Sequence, residues 1–123
     1  EIQHLFAGWQ GGYRLLGWRE QSYYAEFDVL LHPAKAEPYG MVISEAMAVR
    51  VPVVVSEVCG AAAQITPDAG AIVPLSASAE RWADEVEKQL RRSDAPPQFA
   101  RGWNEVAYEY ETIYRNICET DLK

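Results

Sequence analysis

Short apolar segments that alternate with helical patterns restrict the fold of this 123-residue chain more than any other feature. The clearest segment covers residues 52–55, where three consecutive valines follow a proline. A strand without polar alternation is expected where both faces of a sheet are covered, as in a parallel sheet. Shorter apolar segments at 13–16, 28–32 and 71–73 predict three more strands, each followed directly by Gly or Pro.

The segments between the predicted strands have helical character. They predict helices at residues 20–27, 40–48, 61–65, 78–92 and 99–118. Ser78 is the expected N-cap of the fourth helix, and an apolar stripe makes the fifth a C-terminal packing helix. Strands that alternate with helices predict an α/β fold with a doubly wound parallel sheet. Residues 1–123 form one predicted domain, and because four strands make a thin sheet, we expect it to be truncated at its N-terminal side.

Composition excludes several function classes. The chain has 11 Lys and Arg against 18 Asp and Glu, a net charge of −7, which argues against binding nucleic acid through its phosphates. Cys59 and Cys118 form neither a metal-ligand cluster nor a disulfide framework, so we expect a reducing compartment. The sequence has no run of about 18 or more apolar residues, the length that a membrane span needs.

The loop at residues 33–40, which follows the second predicted strand, is the most informative candidate site. Ligands of open α/β sheets bind beyond the carboxyl ends of the strands, where this loop lies. Gly40 opens the next helix and lets a ligand approach the free backbone N–H groups of its first turn. Such a helix start favours an anion, and we expect a phosphate.

Two acidic residues flank this helix start. Glu37 precedes it, and Glu45 is the only charged residue between Met41 and Val49. Ionised carboxylates repel phosphate but accept hydrogen bonds from hydroxyl groups, so the pattern fits a sugar–diphosphate–ribose ligand, a nucleotide sugar. An alternative of about equal weight is that Glu45 points outward or caps a neighbouring backbone.

Four other side chains have both a structural and a functional interpretation. His32 could reach a donor phosphate, but we favour a hydrogen-bonded core histidine. No general base is evident for Cys59, so loop packing is favoured over a nucleophile. Trp82 and Trp103 lie at helical spacing and are predicted to be core residues.

The motifs of the central region resemble a known family. They read DVLLHPA at 28–34, EPYGMVISEAMA at 37–48, VPVVVS at 51–56 and Cys59-Gly60. This pattern is similar to the C-terminal, donor-binding domain of retaining GT-B glycosyltransferases of glycosyltransferase family 4 (group 1), which includes lipopolysaccharide and capsule enzymes. The resemblance covers residues 13 to about 75 and implies a Rossmann-like domain that faces a second domain across a cleft.

The resemblance implies a role for each matched residue. Glu37 would be the catalytic residue that grips hydroxyls of the transferred sugar, and Glu45 would hold the ribose. The backbone of Tyr39, Gly40, Met41 and Val42 would contact the sugar and the distal phosphate. A weaker match places the loop of Gly17, Trp18 and Arg19 along the base.

The resemblance also implies the reaction. A hexosyltransferase would move a sugar, with retention, from a nucleotide diphosphate donor to a glycan or lipid-linked acceptor in cell-surface polysaccharide synthesis. The acceptor would bind through an N-terminal domain. No metal or other cofactor is expected, because the donor's own phosphate would accept the acceptor's proton.

The expected setting is the cytoplasm, with peripheral contact at the inner face of the cell membrane. The isolated chain should bind donor weakly and transfer nothing.

Three departures from the family pattern stand out. The basic residues that neutralise the diphosphate in the family lie upstream of the matched region, and Lys35 is not placed to replace them. The family's acceptor domain is expected to lie outside the matched region. Arg50 stands where the family often has Gly, so it must adopt another cap geometry or a strained one.

Two alternatives remain at this stage. One is another GT-B enzyme such as a sugar-nucleotide epimerase, which should show a carboxylate–histidine set that the sequence does not reveal. The other is a non-catalytic α/β interaction module of the receiver type. That module would need clustered Asp residues at the end of its first strand, whereas Asp28 begins its strand.

Overall fold

A computed structural model describes residues 3–19, 23–99 and 101–120. Within them, three strands and three α-helices follow one another as β1 (Leu30–His32), α1 (Met41–Ala48), β2 (Val53–Ser56), β3 (Gly70–Val73), α2 (Ala79–Leu90) and α3 (Trp103–Thr120). Three short 3-10 helices cover Gln3–Phe6, Tyr24–Glu26 and Gly60–Gln64.

The strands form one parallel sheet in the order β1-β2-β3. Leu30 pairs with Val53, and Val53 pairs with Gly70, so β2 has a neighbour on each side. Every residue of β2 is buried. The apolar segment without polar alternation therefore does become the fully covered central strand, as predicted for a parallel sheet.

Helices cover both faces of the sheet. Ile43 and Met47 of α1 join the main core cluster together with Val53 and Val55. Val54 is also buried, and strand alternation turns it to the opposite face, where α2 packs on β2 and β3. This arrangement confirms the predicted Rossmann-like α/β fold with a doubly wound sheet.

The predicted strand at residues 13–16 is wrong. The segment has no regular structure, and Tyr13 and Leu15 are exposed. Apolar residues form a strand only where another strand offers unpaired backbone groups, and the structure pairs this segment with none. The sheet of the described residues accordingly has three strands rather than four.

Several predicted boundaries shift. The strand predicted at 28–32 is limited to Leu30–His32, and the helix predicted at 61–65 is the 3-10 helix Gly60–Gln64. Of the helix predicted at 20–27, only Tyr24–Glu26 is helical, and residues 20–22 lie outside the described residues. Ser78 is confirmed as the N-cap of α2, because its Oγ accepts a hydrogen bond from the Arg81 N–H at 3.4 Å.

The apolar faces of the last two helices are less buried than predicted. Trp82 is half-buried, but Leu90 is exposed while Glu85, which pairs with Arg81 and Lys88, is buried. The last helix covers Trp103–Thr120 instead of 99–118. Its large apolar side chains stay exposed, as in Trp103 (86%), Tyr110, Ile113 and Ile117. The prediction that Trp103 is a core residue is therefore wrong.

Arg50 adopts the strained geometry at the end of α1. Its φ is 65°, the only positive value among the described non-glycine residues. The Val51 N–H bonds the Ala46 carbonyl at 3.0 Å and the Arg50 N–H bonds the Met47 carbonyl at 3.1 Å, the two bonds of a Schellman motif. The Arg50 Nε also donates to the Pro96 carbonyl at 2.9 Å, which offsets part of the strain.

We predict that Arg50→Gly is more stable than Arg50→Ala by about 1 kcal/mol, because both lose the bond to Pro96 but only Gly relieves the left-handed backbone. Chemical denaturation measures both free energies of unfolding. The matched control is Arg91, where φ is −87° and Gly should give no advantage over Ala. Equal stabilities of the two Arg50 variants would show that the position carries no strain.

Candidate functional site at the carboxyl edge of the sheet

The loop after β1 is fixed against the segment after β2. Gly60 N–H donates to the Glu37 carbonyl at 3.3 Å, and Ala61 N–H donates to the Tyr39 carbonyl at 2.8 Å. Glu37 and Cys59 also form an isolated parallel bridge. Parallel strands end at the same edge of the sheet, so the pairing of β1 with β2 brings these two segments side by side.

Gly60 permits this close approach. A Cβ at this position would lie 2.2 Å from the Pro38 carbonyl oxygen and 3.1 Å from the Tyr39 Cα. Both neighbours are backbone atoms, which cannot move aside as a flexible side chain could. The Cys59 side chain beside it is buried, as predicted for loop packing.

A buried serine holds the beginning of the same loop. Ser56 is fully buried at the end of β2, and its hydroxyl donates to the Ala34 carbonyl at 2.5 Å. The loop is thus attached to the end of β2 near its beginning and to the segment after β2 near its end.

Gly40 forms the start of α1 in the left-handed conformation, with φ 89° and ψ 64°. The first turn of α1 has no side-chain cap. A Cβ on Gly40 would lie 2.8 Å from Ile43 Cδ1 and 3.2 Å from Glu37 Cγ, so the glycine also makes room for the Glu37 side chain. An uncapped helix start with open N–H donors is suited to an anion.

Glu37 lies beside this helix start with about one third of its side chain exposed. One carboxylate oxygen accepts from the Tyr39 N–H at 3.4 Å, and the other lies 3.8 Å from the His32 Nε2. The buried Nε2 atom has no hydrogen-bond partner. The prediction of a hydrogen-bonded core histidine is therefore wrong for this nitrogen, which faces Glu37 instead.

The side chain of Tyr39 extends over the start of α1. Its hydroxyl lies 3.1 Å from Ser44 Oγ and accepts from Gln64 Nε2 at 3.0 Å. Met41 is 62% exposed and Val42 is half-buried, whereas Gly40, which opens the helix, is itself buried.

Glu45 is exposed one turn further along α1. It follows Met41 by four residues and so shares its exposed face, opposite the buried Ile43 and Met47. Burial raises the pKa of the Tyr24 phenol, and a hydrogen bond to Glu45 and its negative charge raise the pKa further. Tyr24 thus lies beside Glu45, and a carboxylate has about four acceptor positions, enough for several ligand hydroxyls.

The predicted base-binding residues shortly precede Tyr24, the neighbour of Glu45, in the sequence. Gly17 has a φ of 66°, Trp18 is 82% exposed, and the Arg19 guanidinium carbon lies 5.4 Å from the centre of the Tyr23 ring. Tyr23 precedes Tyr24, the phenol that interacts with Glu45. The structure brings Arg19 to Tyr23, and it records no direct contact of Gly17 or Trp18 with Glu45 in the described residues.

Sequence reasoning missed three residues that support the site: Ser56, Gly60 and Tyr24. Ser56 was detectable as the polar residue that ends an apolar strand, and Gly60 as the glycine directly before the helix predicted at 61–65. The sequence pattern does not predict a role for Tyr24. Tyr24 and Glu45 belong to segments about 20 residues apart that meet only in the folded chain.

Among the residues that the structure describes, the His, Cys, Asp and Glu side chains do not form a group of three that could hold a metal ion. None of the helices that these described residues form is both long enough and apolar enough to cross a membrane.

The family model described as Glycosyl transferases group 1 matches residues 8–108. The match covers the sheet, α1, α2 and the loop of Gly17 to Arg19. Searches of curated proteins and of solved structures found no match.

We predict that Gly60→Ala lowers the free energy of unfolding by about 1–3 kcal/mol, because the added methyl group forces the Pro38 backbone away. Gly12→Ala is the matched control, since a Cβ there meets no atom within 4 Å. Denaturation of the two variants and the unmodified chain gives the comparison. A Gly60→Ala chain as stable as Gly12→Ala would contradict the close approach.

Proposed function

The chain belongs to the glycosyl transferases group 1 family, and from this premise we propose that it is the donor-binding domain of a retaining GT-B glycosyltransferase. Membership of the family supports a role in glycosyl transfer, with a nucleotide-sugar donor and an acceptor. The proposal is more specific. It assigns the chain to glycosyltransferase family 4 and to the C-terminal domain of the fold.

One observation carries the proposal: the uncapped start of α1 lies between two acidic side chains that are open to solvent. Glu37 is partly exposed beside Gly40, and Glu45 is exposed on the same face as Met41. Open N–H groups suit the diphosphate, and carboxylates suit the hydroxyls of the sugar and the ribose. A nucleotide sugar likewise has its diphosphate between the hydroxyls of the sugar and those of the ribose.

Each residue of the site has one role in the proposal. The backbone of Tyr39, Gly40, Met41 and Val42 binds the distal phosphate and the sugar. Glu37 accepts hydrogen bonds from hydroxyls of the transferred sugar and orients it for attack. Glu45 accepts from the ribose, and the loop of Gly17, Trp18 and Arg19 borders the base.

The reaction proposed is transfer of a hexose with retention of configuration. The acceptor, a glycan or a lipid-linked glycan, binds on a second domain across the cleft. Its hydroxyl oxygen bonds to the anomeric carbon of the sugar, the bond from that carbon to the diphosphate breaks, and the departing nucleoside diphosphate takes the proton of the hydroxyl. No metal is required for this step. The chain's own residues bind and orient the donor, and the fixed loop after β1 keeps Glu37 at the sugar.

The setting proposed is cell-surface polysaccharide synthesis of the lipopolysaccharide or capsule type. Activated sugars of this kind are consumed in the cytoplasm, and a lipid-linked acceptor would bring the whole protein to the inner face of the membrane. The cytoplasmic location follows from the proposed donor, and the membrane contact follows from the proposed acceptor.

Sugar-nucleotide epimerisation is the second candidate. The structure does place a histidine beside a carboxylate, His32 and Glu37 at 3.8 Å, a pair that the sequence pattern did not reveal. The family match favours glycosyl transfer over epimerisation and over a non-catalytic interaction module. Release of a changed free nucleotide sugar without an acceptor would favour epimerisation.

We predict that Glu45→Ala weakens nucleoside diphosphate binding about 10- to 100-fold, the effect of losing hydrogen bonds to a charged group. Calorimetric titration with uridine, guanosine and adenosine diphosphates measures the dissociation constants. Glu119→Ala, an exposed acid of α3, is the matched control and should bind as the unmodified chain does. Unchanged affinity in folded Glu45→Ala would contradict the ribose assignment.

A further inference from the structure

The imidazole of His32 contains an unusual polar atom. Its Nε2 is the one buried side-chain nitrogen or oxygen of the described residues without a hydrogen-bond partner. Buried polar groups nearly always have partners, so an exception at the edge of a candidate site calls for an explanation. The side chain as a whole is 25% exposed, so a ligand in the site would lie close to it.

Glu37 is the group that this atom faces. The distance of 3.8 Å from Nε2 to Oε2 is too long for a hydrogen bond, but the two atoms face each other just beyond hydrogen-bond range. The other oxygen, Oε1, accepts from the Tyr39 N–H. The carboxylate is therefore bonded to the backbone of its own loop through Oε1, while Oε2 faces the histidine.

The two residues are held by different backbone contacts. His32 is the last residue of β1, and its backbone pairs with Val55 in the sheet. Glu37 lies in the loop, fixed through its backbone bond to Gly60. A side chain on a strand can hold a loop carboxylate in one orientation, which is how precise sites are supported.

We propose that His32 is a positioning residue for Glu37 and that it determines the preference of the site for a sugar-bearing nucleotide over the bare nucleoside diphosphate. The inference rests on the proposed function, in which Glu37 contacts the transferred sugar. His32 donates from Nε2 to Oε2 when the ligand is bound. Oε1 then accepts from a sugar hydroxyl in a fixed direction.

The competing role for His32 is direct contact with the diphosphate. The two roles differ in which ligands they affect. A positioning role changes the affinity for the sugar-bearing nucleotide alone, because only that ligand reaches Glu37. A phosphate contact changes the affinity for both ligands equally.

The binding experiment compares three variants of the chain. His32→Leu removes the donor, and His32→Gln keeps an N–H near the position of Nε2. His4→Leu is the matched control, made on the other histidine of the chain. Calorimetry with UDP and UDP-glucose, GDP and GDP-mannose, and ADP and ADP-glucose gives the ratio of the two affinities for each base.

We expect His32→Leu to reduce this ratio about tenfold and leave nucleoside diphosphate affinity unchanged, as loss of one charge-assisted hydrogen bond implies. His32→Gln should restore part of the ratio, and His4→Leu should keep it. Equal loss for both ligands, or no change in His32→Leu, overturns the inference. If the unmodified chain binds none of the six ligands, the proposed function itself fails.

A spectroscopic measurement on the unliganded chain tests the pairing separately. At pH 9, above the range in which imidazole normally titrates, long-range proton–nitrogen spectra show which ring nitrogen carries the proton. We expect Nε2-protonated His32, with ring resonances that move in Glu37→Leu, while those of His4 do not move. Identical His32 resonances in both chains, or protonation at Nδ1, would contradict the pairing even if donor binding is confirmed.

Discussion

The parallel pairing of β1 with β2 is the interaction on which the candidate site depends. It places the loop after β1 beside the segment after β2, and backbone hydrogen bonds from Gly60 and Ala61 then fix the carbonyls of Glu37 and Tyr39. The position of the Glu37 backbone is therefore set by the sheet rather than by the loop itself. Fully buried valines in β2 stabilise the sheet, so the core and the site depend on the same strand.

One face of helix α1 packs in the core, and another face borders the candidate site. Ile43, Ala46 and Met47 are buried in the core, whereas Met41 and Glu45 lie on the exposed face above the uncapped start. At its other end, a left-handed Arg50 completes the capping motif and returns the chain into β2. The residues that close the helix therefore also set the direction in which the central strand begins.

The sequence predicted the parts of the molecule that follow from local pattern. The apolar run of β2, the Ser78 cap and the glycine start of α1 are each determined by neighbouring residues. The predictions for residues 13–16 and for Trp103 failed for one physical reason. An apolar pattern indicates that a face favours burial, but it does not identify the segment that covers that face. The contacts of His32 with Glu37 and of Tyr24 with Glu45 depend on tertiary packing, which local pattern does not encode.

Backbone amide mapping tests most directly whether the start of α1 binds the diphosphate. Proton–nitrogen spectra of the labelled chain would be recorded during titration with the nucleoside diphosphate and nucleotide sugar that bind most tightly. The largest shifts should fall on the amides of Gly40, Met41 and Val42, with a second group near Glu45 from the ribose. Saturable shifts confined to another surface, such as the apolar groove between Leu31 and Trp82, would contradict binding at the helix start.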